Sequence, residues 1–218
     1  MSKKLIVIVG AGKGMGISIA RAFGRHDFKV ALIARKRPKL EVLAEKLRAE
    51  GIESYVYPAD ASDTSSLTAA FESIKTELGK IDVLVYNAAL MSAGNSTELT
   101  SEEMMRHYQL DVVGAMHCVR LVLPDQLSSG TGTILFTGGL FGVHPHYNSD
   151  YACLSIGKAA LRALAFMLDG ELQSTGVHVG IVEIMGVVDG NEHFAADKIG
   201  EAYWTLHVER DRVEYFFD

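Results

Sequence analysis

Cysteine and proline are scarce in this sequence of 218 residues, and it contains no long apolar run. Its two cysteines, Cys118 and Cys153, both lie within apolar helical patterns, so we expect buried free thiols rather than a disulfide or a metal site. The four prolines are spread thinly and no Pro- or Ser-rich linker interrupts the chain, so we predict one domain over 1–218. No segment approaches the roughly 18 apolar residues that a membrane span requires, so we expect no membrane partner.

Positive charge is also in deficit. The chain carries 21 Lys and Arg against 27 Asp and Glu, a net charge of −6. Because a nucleic-acid-binding protein usually presents a basic face, this balance argues against a nucleic-acid partner. The start Met1–Lys4 is basic, but the apolar run Leu5–Val9 that follows is too short for a secretory signal and lacks a cleavage site after it. We therefore expect a cytoplasmic protein.

Predicted strands and helices alternate along the chain. Short apolar runs predict buried strands, and apolar residues at helical spacing predict the helices between them. The predicted strands are Leu5–Val9, Phe28–Ala34, Ile52–Tyr57, Ile81–Tyr86, Thr133–Thr137, Val177–Ile184 and Val213–Phe217. The predicted helices are Ile17–Phe23, Pro38–Ala49, one capped by Ser62 or Asp63 that runs to Leu78, one from Thr100 to about Pro124, one from about Ser149 to Gln173, and Ala195–His207. This alternation predicts an α/β, doubly wound parallel sheet covered on both faces, with ligands beyond the carboxyl ends of its strands.

A glycine-rich turn follows the first predicted strand. The stretch Gly10–Gly16 reads GAGKGMG and opens the first predicted helix. Glycines permit a tight turn and close approach of a ligand, while the helix N terminus offers free N–H groups to a phosphate. A strand before and a helix after this turn are the context that dinucleotide binding requires. We therefore predict a pyrophosphate site that involves Gly10, Gly12, Lys13, Gly14, Met15 and Gly16.

The end of the second predicted strand indicates which dinucleotide is bound. An NAD site places an acidic residue on the ribose 2′-hydroxyl about 20 residues after the glycines. Here the stretch Ala34–Arg37 has no carboxylate. Arg35 and Lys36 can instead bind a 2′-phosphate, with Lys13 as an additional cation. This pattern favours NADP(H) over NAD(H), which stays possible, and the alternative is a solvated basic turn without a ligand.

Five motifs follow one another in a fixed order. They are the glycine turn, Ala59–Asp63, Tyr86–Ala89, Asp111–Gly114 and Ser155–Leu161. Their order and spacing resemble the short-chain dehydrogenase/reductase family over nearly the whole chain. The resemblance implies a Rossmann-type sheet of about seven strands in the order 3-2-1-4-5-6-7. It also implies a homodimer or homotetramer, formed through the long helices that carry Met116, Cys118, Leu121, Ala160, Leu164 and Met167.

The motifs also differ from the family pattern at single positions. Val9 replaces the usual leading Thr, Ala89 replaces the last Gly of N-N-A-G, and Asp111 replaces the Asn of N-x-x-G. The resemblance still implies that the cofactor is contacted beyond the glycine turn by Asp60, Ala61, Asn87, Ala88, Ala89, Lys158 and Gly186.

The implied catalytic residues depart most from the family. Its members use a Tyr as acid or base, a Lys four residues later, and a Ser about 13 residues before the Tyr. If Tyr151 is the acid, the lysine position is Ser155 and the serine position is Gly138. If Lys158 is the lysine, the tyrosine position is Leu154. The first alignment therefore loses the lysine and the serine, and the second loses the tyrosine.

Helical geometry indicates which groups can still meet. At roughly 100° per residue, Tyr151, Ser155 and Lys158 would share one helix face. Tyr151 and Lys158 would lie about 10 Å apart along the axis, instead of about 6 Å for the family spacing. Thr137 cannot replace the serine, because neighbouring strand residues point to opposite faces and its hydroxyl points away from the side of Gly138.

Other polar residues offer further interpretations. Asp111 could act as an acid or base if burial raises its pKa, or serve as a structural carboxylate. The loop Gly142–Ser149 could supply a group that binds the substrate oxygen, or be an ordinary polar loop. We expect no metal site, because His144 and His146 lack an evident third ligand.

The segment that would cover the substrate is shorter than the one in the family. The stretch Met185–Gly190 stands where the family has P-G and a long lid, and little sequence follows Val213–Phe217, so we expect an open site. Our first functional hypothesis is an NADP(H)-dependent oxidoreductase for a small carbonyl or alcohol substrate, with Tyr151, Lys158 and Asp111 in an altered catalytic site. The alternative is a catalytically silent NADP(H)-binding redox sensor or protein-interaction subunit.

Overall fold

A seven-stranded parallel sheet forms the centre of the molecule, with the strand order β3-β2-β1-β4-β5-β6-β7. This computed structural model describes residues 3–218; Met1 and Ser2, which belong to the predicted domain and to the rejected signal sequence, lie outside the described residues. The strands are β1 (Lys4–Val9), β2 (Phe28–Ala34), β3 (Ser54–Pro58), β4 (Val83–Tyr86), β5 (Gly132–Thr137), β6 (Val177–Ile184) and β7 (Glu214–Phe217). The predicted α/β class and strand order are confirmed.

Helices cover both faces of the sheet. They are α1 (Met15–Gly24), α2 (Arg37–Ala49), α3 (Thr64–Leu78), α4 (Ser101–Tyr108), α5 (Gly114–Ser129), α6 (Leu140–Val143), α7 (Ala152–Leu172) and α8 (Ala196–Glu209). Side chains of α1, α2 and α8 form one apolar layer with the sheet. Side chains of α3, α5 and α7 form the other layer. The central strands are apolar throughout because both of their faces are buried.

Side-chain caps set the starts of two helices, as their sequences predict. Thr100 and Glu103 form a capping box at the start of α4. The Asp63 carboxylate accepts hydrogen bonds from the first turn of α3. Three strands, β3, β4 and β7, begin one or two residues later than their apolar runs predict. The Ile52 N–H bonds back to the carbonyl of Leu47 at the end of α2, so Ile52 belongs to a turn.

The long helix predicted from Thr100 to about Pro124 is wrong in two respects. A π-helical turn, Gln109–Val113, joins α4 to α5. Pro124 lies inside α5, which continues to Ser129 because Val122 and Gln126 on either side of the proline stay buried.

Cys118 and Cys153 are both buried free thiols, as the sequence predicts. Within residues 3–218, no helix combines the length and apolar character that crossing a membrane requires.

Candidate functional site

A cavity of about 540 Å³ lies at the carboxyl ends of the central strands. The chain runs from β1 toward β3 on one side and begins the other half of the sheet with β4, so this is the switch point where a doubly wound fold binds ligands. Ten residues that the sequence assigned to the cofactor line it: Gly10, Met15, Arg35, Asp60, Ala61, Asn87, Ala88, Ala89, Lys158 and Gly186.

Two glycines of the turn are required by close backbone contacts. Gly10 has φ +87°, and a Cβ there would overlap the backbone of Ala88 on the neighbouring strand end. A Cβ at Gly16 would lie 2.7 Å from the Cα of Ala11. These glycines therefore hold β1, β4 and α1 close together, and neither needs a ligand to explain it. Gly16 does not line the cavity.

Gly12 and Gly14 have a different role. Among residues 3–218, no heavy atom beyond the glycine itself and its neighbours along the chain lies within 4 Å of the position that a Cβ would take at either residue. The open space faces the start of α1, which has neither a side-chain cap nor an acidic residue in its first turn. The helix N terminus is therefore available to an anion, and the space in front of it fits a pyrophosphate.

A basic hollow adjoins this turn. Gly12, Lys13, Arg35 and Lys36 line it, together with Lys39 and Lys46 and without any acidic residue. Within residues 3–218, Arg35 makes no side-chain hydrogen bond or ion pair, whereas its neighbour Arg37 pairs with Glu41 at 3.3 Å. An unpaired guanidinium beside several lysines fits a phosphate group better than a ribose hydroxyl.

The wall beyond β3 and β4 is held by hydrogen bonds. Ser62 donates hydrogen bonds to the Asp60 carboxylate and thereby lowers the pKa of Asp60. Asn87 donates to the Gly10 carbonyl (2.9 Å) and accepts a hydrogen bond from the Thr137 hydroxyl (2.9 Å). The Thr137 hydroxyl thus points toward Asn87 and Tyr203, away from the α7 side of the sheet.

Lys158 reaches the cavity from α7. Its ammonium donates a 2.6 Å hydrogen bond to the Thr137 carbonyl, and its side chain is almost fully enclosed. Burial lowers the pKa of Lys158, while the nearby carboxylates of Asp111 and Glu183 raise it in part. The lysine is therefore a buried amine that keeps hydrogens available to a ligand in the cavity beyond the one that it donates to Thr137.

Tyr151 does not lie where helical spacing predicts it. The helix α7 begins at Ala152, and Tyr151 precedes it with φ −124° and ψ 43°. Its backbone pairs with Gly94 and its ring packs on Phe141, with ring centroids 5.4 Å apart. Tyr151 precedes the helix and does not line the cavity, so the structure does not show the expected common face with Lys158, and a catalytic role of Tyr151 stays a prediction. Ser155 is buried inside the helix and also lies outside the cavity lining.

A buried acid occupies the place of the missing serine. The Glu183 carboxyl fills the space where a side chain at Gly138 would lie, and it accepts a hydrogen bond from the Gly139 N–H. Burial raises the pKa of Glu183 to about 7. Its other oxygen lies 3.7 Å from Arg162. Glu183 lies beneath the cavity floor, which Gly138 and Gly139 form.

Asp111 is buried beside the cavity rather than in its wall. One carboxylate oxygen accepts a 3.3 Å hydrogen bond from the Leu90 N–H, and the other faces His107 Nδ1 at 3.7 Å. Burial raises the pKa of Asp111 to about 6. The other nitrogen of His107 lies 2.6 Å from the Ser92 hydroxyl. Asp111 is not among the residues that line the cavity, and its expected role as an acid or base stays a prediction.

The mouth of the cavity is mainly apolar. Met91, Phe141, Leu154 and Val187 line it, and Tyr147 contributes a phenol. Gly186 lines the cavity with the Phe194 ring behind it, which leaves no space for a side chain. The stretch from Met185 to Ala195 forms turns without a helical lid.

Sequence reasoning missed Glu183, His107 and Tyr147. Glu183 had a usable signal, because it is the one acidic residue of the buried strand β6, whose other residues are apolar except for His178. Tyr147 lay inside the loop considered as a source of an oxygen-binding group, but nothing in the sequence separated it from its neighbours. The ring centroids of His144 and His146 lie 6.0 Å apart. No group of three potential metal ligands occurs within the described part of the chain.

Similar proteins agree with this architecture. Ketoacyl reductase HetN from Nostoc sp. is 29% identical over 183 residues, which cover 84% of this chain and 63% of that protein. Oxidoreductase UcpA from Escherichia coli is 29% identical over 184 residues, which cover 84% of this chain and 68% of that protein. The chain thus spans about two thirds of the length of these relatives.

Solved structures show the same fold. A metagenomic short-chain oxidoreductase in complex with NADP has a TM-score of 0.86 at 24% identity, with 98% of this chain and 94% of that chain covered. L-Sorbose reductase from Gluconobacter frateurii, complexed with NADPH and L-sorbose, has a TM-score of 0.89 at 22% identity, with 99% and 95% covered.

The family profile described as short chain dehydrogenase matches residues 4–195 of this chain. These residues include the glycine turn, all of the cavity lining and the buried lysine. The chain belongs to the short-chain dehydrogenase/reductase family.

Proposed function

We propose that this protein is an NADP(H)-dependent oxidoreductase that interconverts a carbonyl and an alcohol. One observation carries the proposal. The open space at Gly12 and Gly14 before α1, which we call the phosphate cradle, and the basic hollow without acidic residues both adjoin the cavity that Lys158 enters. The cradle fits the pyrophosphate, and the hollow fits a 2′-phosphate at Arg35. Relatives named ketoacyl reductase and oxidoreductase support the same reaction class.

Lys158 would hold the ribose at the nicotinamide end of the cofactor. The bound nicotinamide supplies hydride chemistry, and the protein supplies orientation and charge. Asp111 acts through Lys158, since its carboxylate favours the charged form of the buried ammonium. We therefore regard Asp111 as a positioning residue.

The mouth of the cavity suggests the substrate class. Apolar side chains line this part of the cavity, so a carbonyl that carries an acyl or alkyl arm fits better than a highly charged substrate. HetN is named as a ketoacyl reductase, and the sorbose reductase structure holds a keto sugar. A β-ketoacyl thioester and L-sorbose are therefore the first two compounds to test.

The test follows NADPH absorbance during incubation with each compound. We expect the protein to oxidise NADPH with at least one of them, and Lys158→Met to lower kcat/KM at least about 100-fold, because the methionine keeps the length of the side chain and loses its charge. NADPH titration of both proteins by calorimetry reports binding separately. Equal turnover by wild type and Lys158→Met would contradict the assignment of Lys158.

A second function has its own supporting observation. Leu154 takes the family's tyrosine position if Lys158 is its lysine, Gly138 takes its serine position if Tyr151 is its tyrosine, and Tyr151 does not line the cavity. These features favour an NADP(H)-binding sensor or interaction subunit without turnover. Tight NADPH binding, with no oxidation of NADPH by any carbonyl, would select this function over the first.

A homodimer or homotetramer is the assembly we propose. Met116 on α5 and Met167 on α7 are exposed (41% and 64%), as is Phe166 (40%). Cys118, which the sequence also placed in the interface, is instead fully buried in the core. Light scattering of wild type and Met167→Arg distinguishes an assembly formed through α7 from a monomer.

A further inference from the structure

We propose that Tyr147, in the loop between α6 and α7, is the acid that protonates the substrate oxygen. This inference rests on the oxidoreductase function proposed above and names the proton donor of that site. It replaces Tyr151, whose ring packs on Phe141 with 5.4 Å between centroids and which is not among the residues that line the cavity.

Hydroxyl groups are rare in the cavity. Among the described residues that line it, only Thr137 and Tyr147 carry one. The Thr137 hydroxyl is already used, because it donates to Asn87 at 2.9 Å and accepts from Tyr203 at 2.7 Å. The Tyr147 hydroxyl makes no hydrogen bond within residues 3–218. Tyr147 is therefore the cavity's uncommitted O–H donor.

The loop holds Tyr147 at the mouth of the cavity. Its N–H donates a 2.9 Å hydrogen bond to the His144 carbonyl, and its ring meets Phe141 edge-on at 6.2 Å between centroids. The side chain is 60% exposed, so water can reach the phenol and return a proton to it. On the helix, the position one turn before Lys158 is Leu154, which lines the same cavity and has no proton to give.

The chemical step balances with these groups. The carbonyl carbon gains a C–H bond as it accepts a hydride, with both electrons, from the reduced nicotinamide, which is thereby oxidised. The π bond of the carbonyl breaks, and its electron pair goes to the oxygen, which takes the proton of the Tyr147 hydroxyl. The product is the alcohol, and the resulting phenolate regains a proton from water.

Two matched variants test the assignment. Tyr147→Phe removes one hydroxyl that has no hydrogen-bond partner within residues 3–218, and Tyr151→Phe removes the same atom from a residue that does not line the cavity. With a β-ketoacyl thioester or L-sorbose as substrate, we expect Tyr147→Phe to lower kcat at least about 100-fold, which is the usual contribution of a general acid, and to leave the NADPH Kd within about threefold. We expect Tyr151→Phe to stay within about threefold of wild type. Equal rates for wild type and Tyr147→Phe, or a large loss in Tyr151→Phe alone, would overturn the assignment.

A second readout does not depend on turnover. N-acetylimidazole acetylates exposed tyrosines, and peptide mass spectrometry reports each site separately. Saturating NADP⁺ together with the alcohol product should slow acetylation of Tyr147 at least about fivefold and leave Tyr151 unchanged, since only Tyr147 lines the cavity. Unprotected Tyr147 would overturn the proposal. Failure of the wild type to reduce any carbonyl would instead overturn the proposed function, whatever the protection pattern.

Discussion

At the scale of single residues, Arg35 distinguishes two cofactors that differ by one phosphate group. It follows β2 directly, lines both the cavity and the basic hollow, and makes no ion pair within residues 3–218, although its charge helps to lower the pKa of the Asp60 carboxyl in the same cavity. A guanidinium that is already paired would gain less from a phosphate, because an existing ion pair would have to break. The absence of an ion pair at Arg35 within residues 3–218 is therefore the feature that favours NADP(H).

Arg35→Asp should reverse this preference. Loss of a charge-assisted phosphate contact costs about 1.5–3 kcal/mol, so we expect the NADPH Kd to rise roughly 10- to 100-fold or more while the NADH Kd changes little. Arg37→Asp is the matched control, because Arg37 lies outside the basic hollow and pairs with Glu41. Equal loss of both cofactors in Arg35→Asp, measured by calorimetry, would contradict the role of Arg35.

Residues of the cofactor site could be predicted well, and those of the catalytic site could not. Glycine spacing and the missing acid after β2 depend on a few neighbouring positions, which the sequence displays directly. The position of Tyr151 depends on where α7 begins, and its start at Ala152 is set by the pairing of Tyr151 with the distant Gly94. Contacts of this kind between distant segments leave no local pattern to read.

At the scale of elements, the turn from β1 into α1 separates structural from ligand-binding glycines. Gly16 faces the Ala11 backbone, while Gly12 faces open space in front of the helix N terminus. The family glycine pattern does not reveal this division, because all of the glycines look alike in the sequence. Only the packing of β1 and β4 against the turn distinguishes them.

Gly12→Ala and Gly16→Val should therefore fail in different ways. The added methyl of Gly12→Ala occupies the phosphate space, so we expect an unchanged melting temperature and at least about tenfold weaker binding of both NADPH and NADH. Gly16→Val forces the turn away from Ala11, so we expect a lower melting temperature together with loss of both cofactors. Undiminished NADPH binding by either variant would refute the assigned cradle.

The π-helical turn shows why one predicted helix became two. Within it the Leu110 carbonyl accepts a hydrogen bond from the buried Tyr86 hydroxyl. Gly114 follows the turn at a point where a Cβ would overlap the Ala61 carbonyl. Periodicity over 100–124 predicts a continuous helix, since it reports only which residues are apolar. The extra residue in the turn places the Leu110 carbonyl where it accepts a hydrogen bond from the buried Tyr86 hydroxyl of β4.

At the scale of the whole molecule, four buried titratable groups act in opposite directions on stability. Burial lowers the pKa of His178 and of His207 to about 4, and raises the pKa of Asp111 to about 6 and of Glu183 to about 7. The histidine contribution is fully present above about pH 6.5 and is lost as the pH falls toward 4. The carboxyl contribution is fully present below about pH 4 and is lost as the pH rises toward 7. The two trends offset each other between these limits.

We expect Glu183→Gln to stabilise the folded protein at alkaline pH. The pH dependence of its stability should then follow mainly the histidines. The neutral amide keeps an oxygen for the Gly139 N–H and does not have to ionise in the core, whereas the charged carboxylate above pH 7 is opposed by burial. We expect a gain of about 1–2 kcal/mol at pH 8.5, or roughly 3–6 °C in melting temperature, and no gain at pH 4.5. Glu214→Gln is the control, because Glu214 is bonded to Arg162 and its loss should not stabilise the fold at any pH. If the melting temperature of Glu183→Gln matches that of wild type at both pH values, other groups compensate the charge of the Glu183 carboxylate in the folded protein. The pH dependence of stability would then come from the histidines and Asp111.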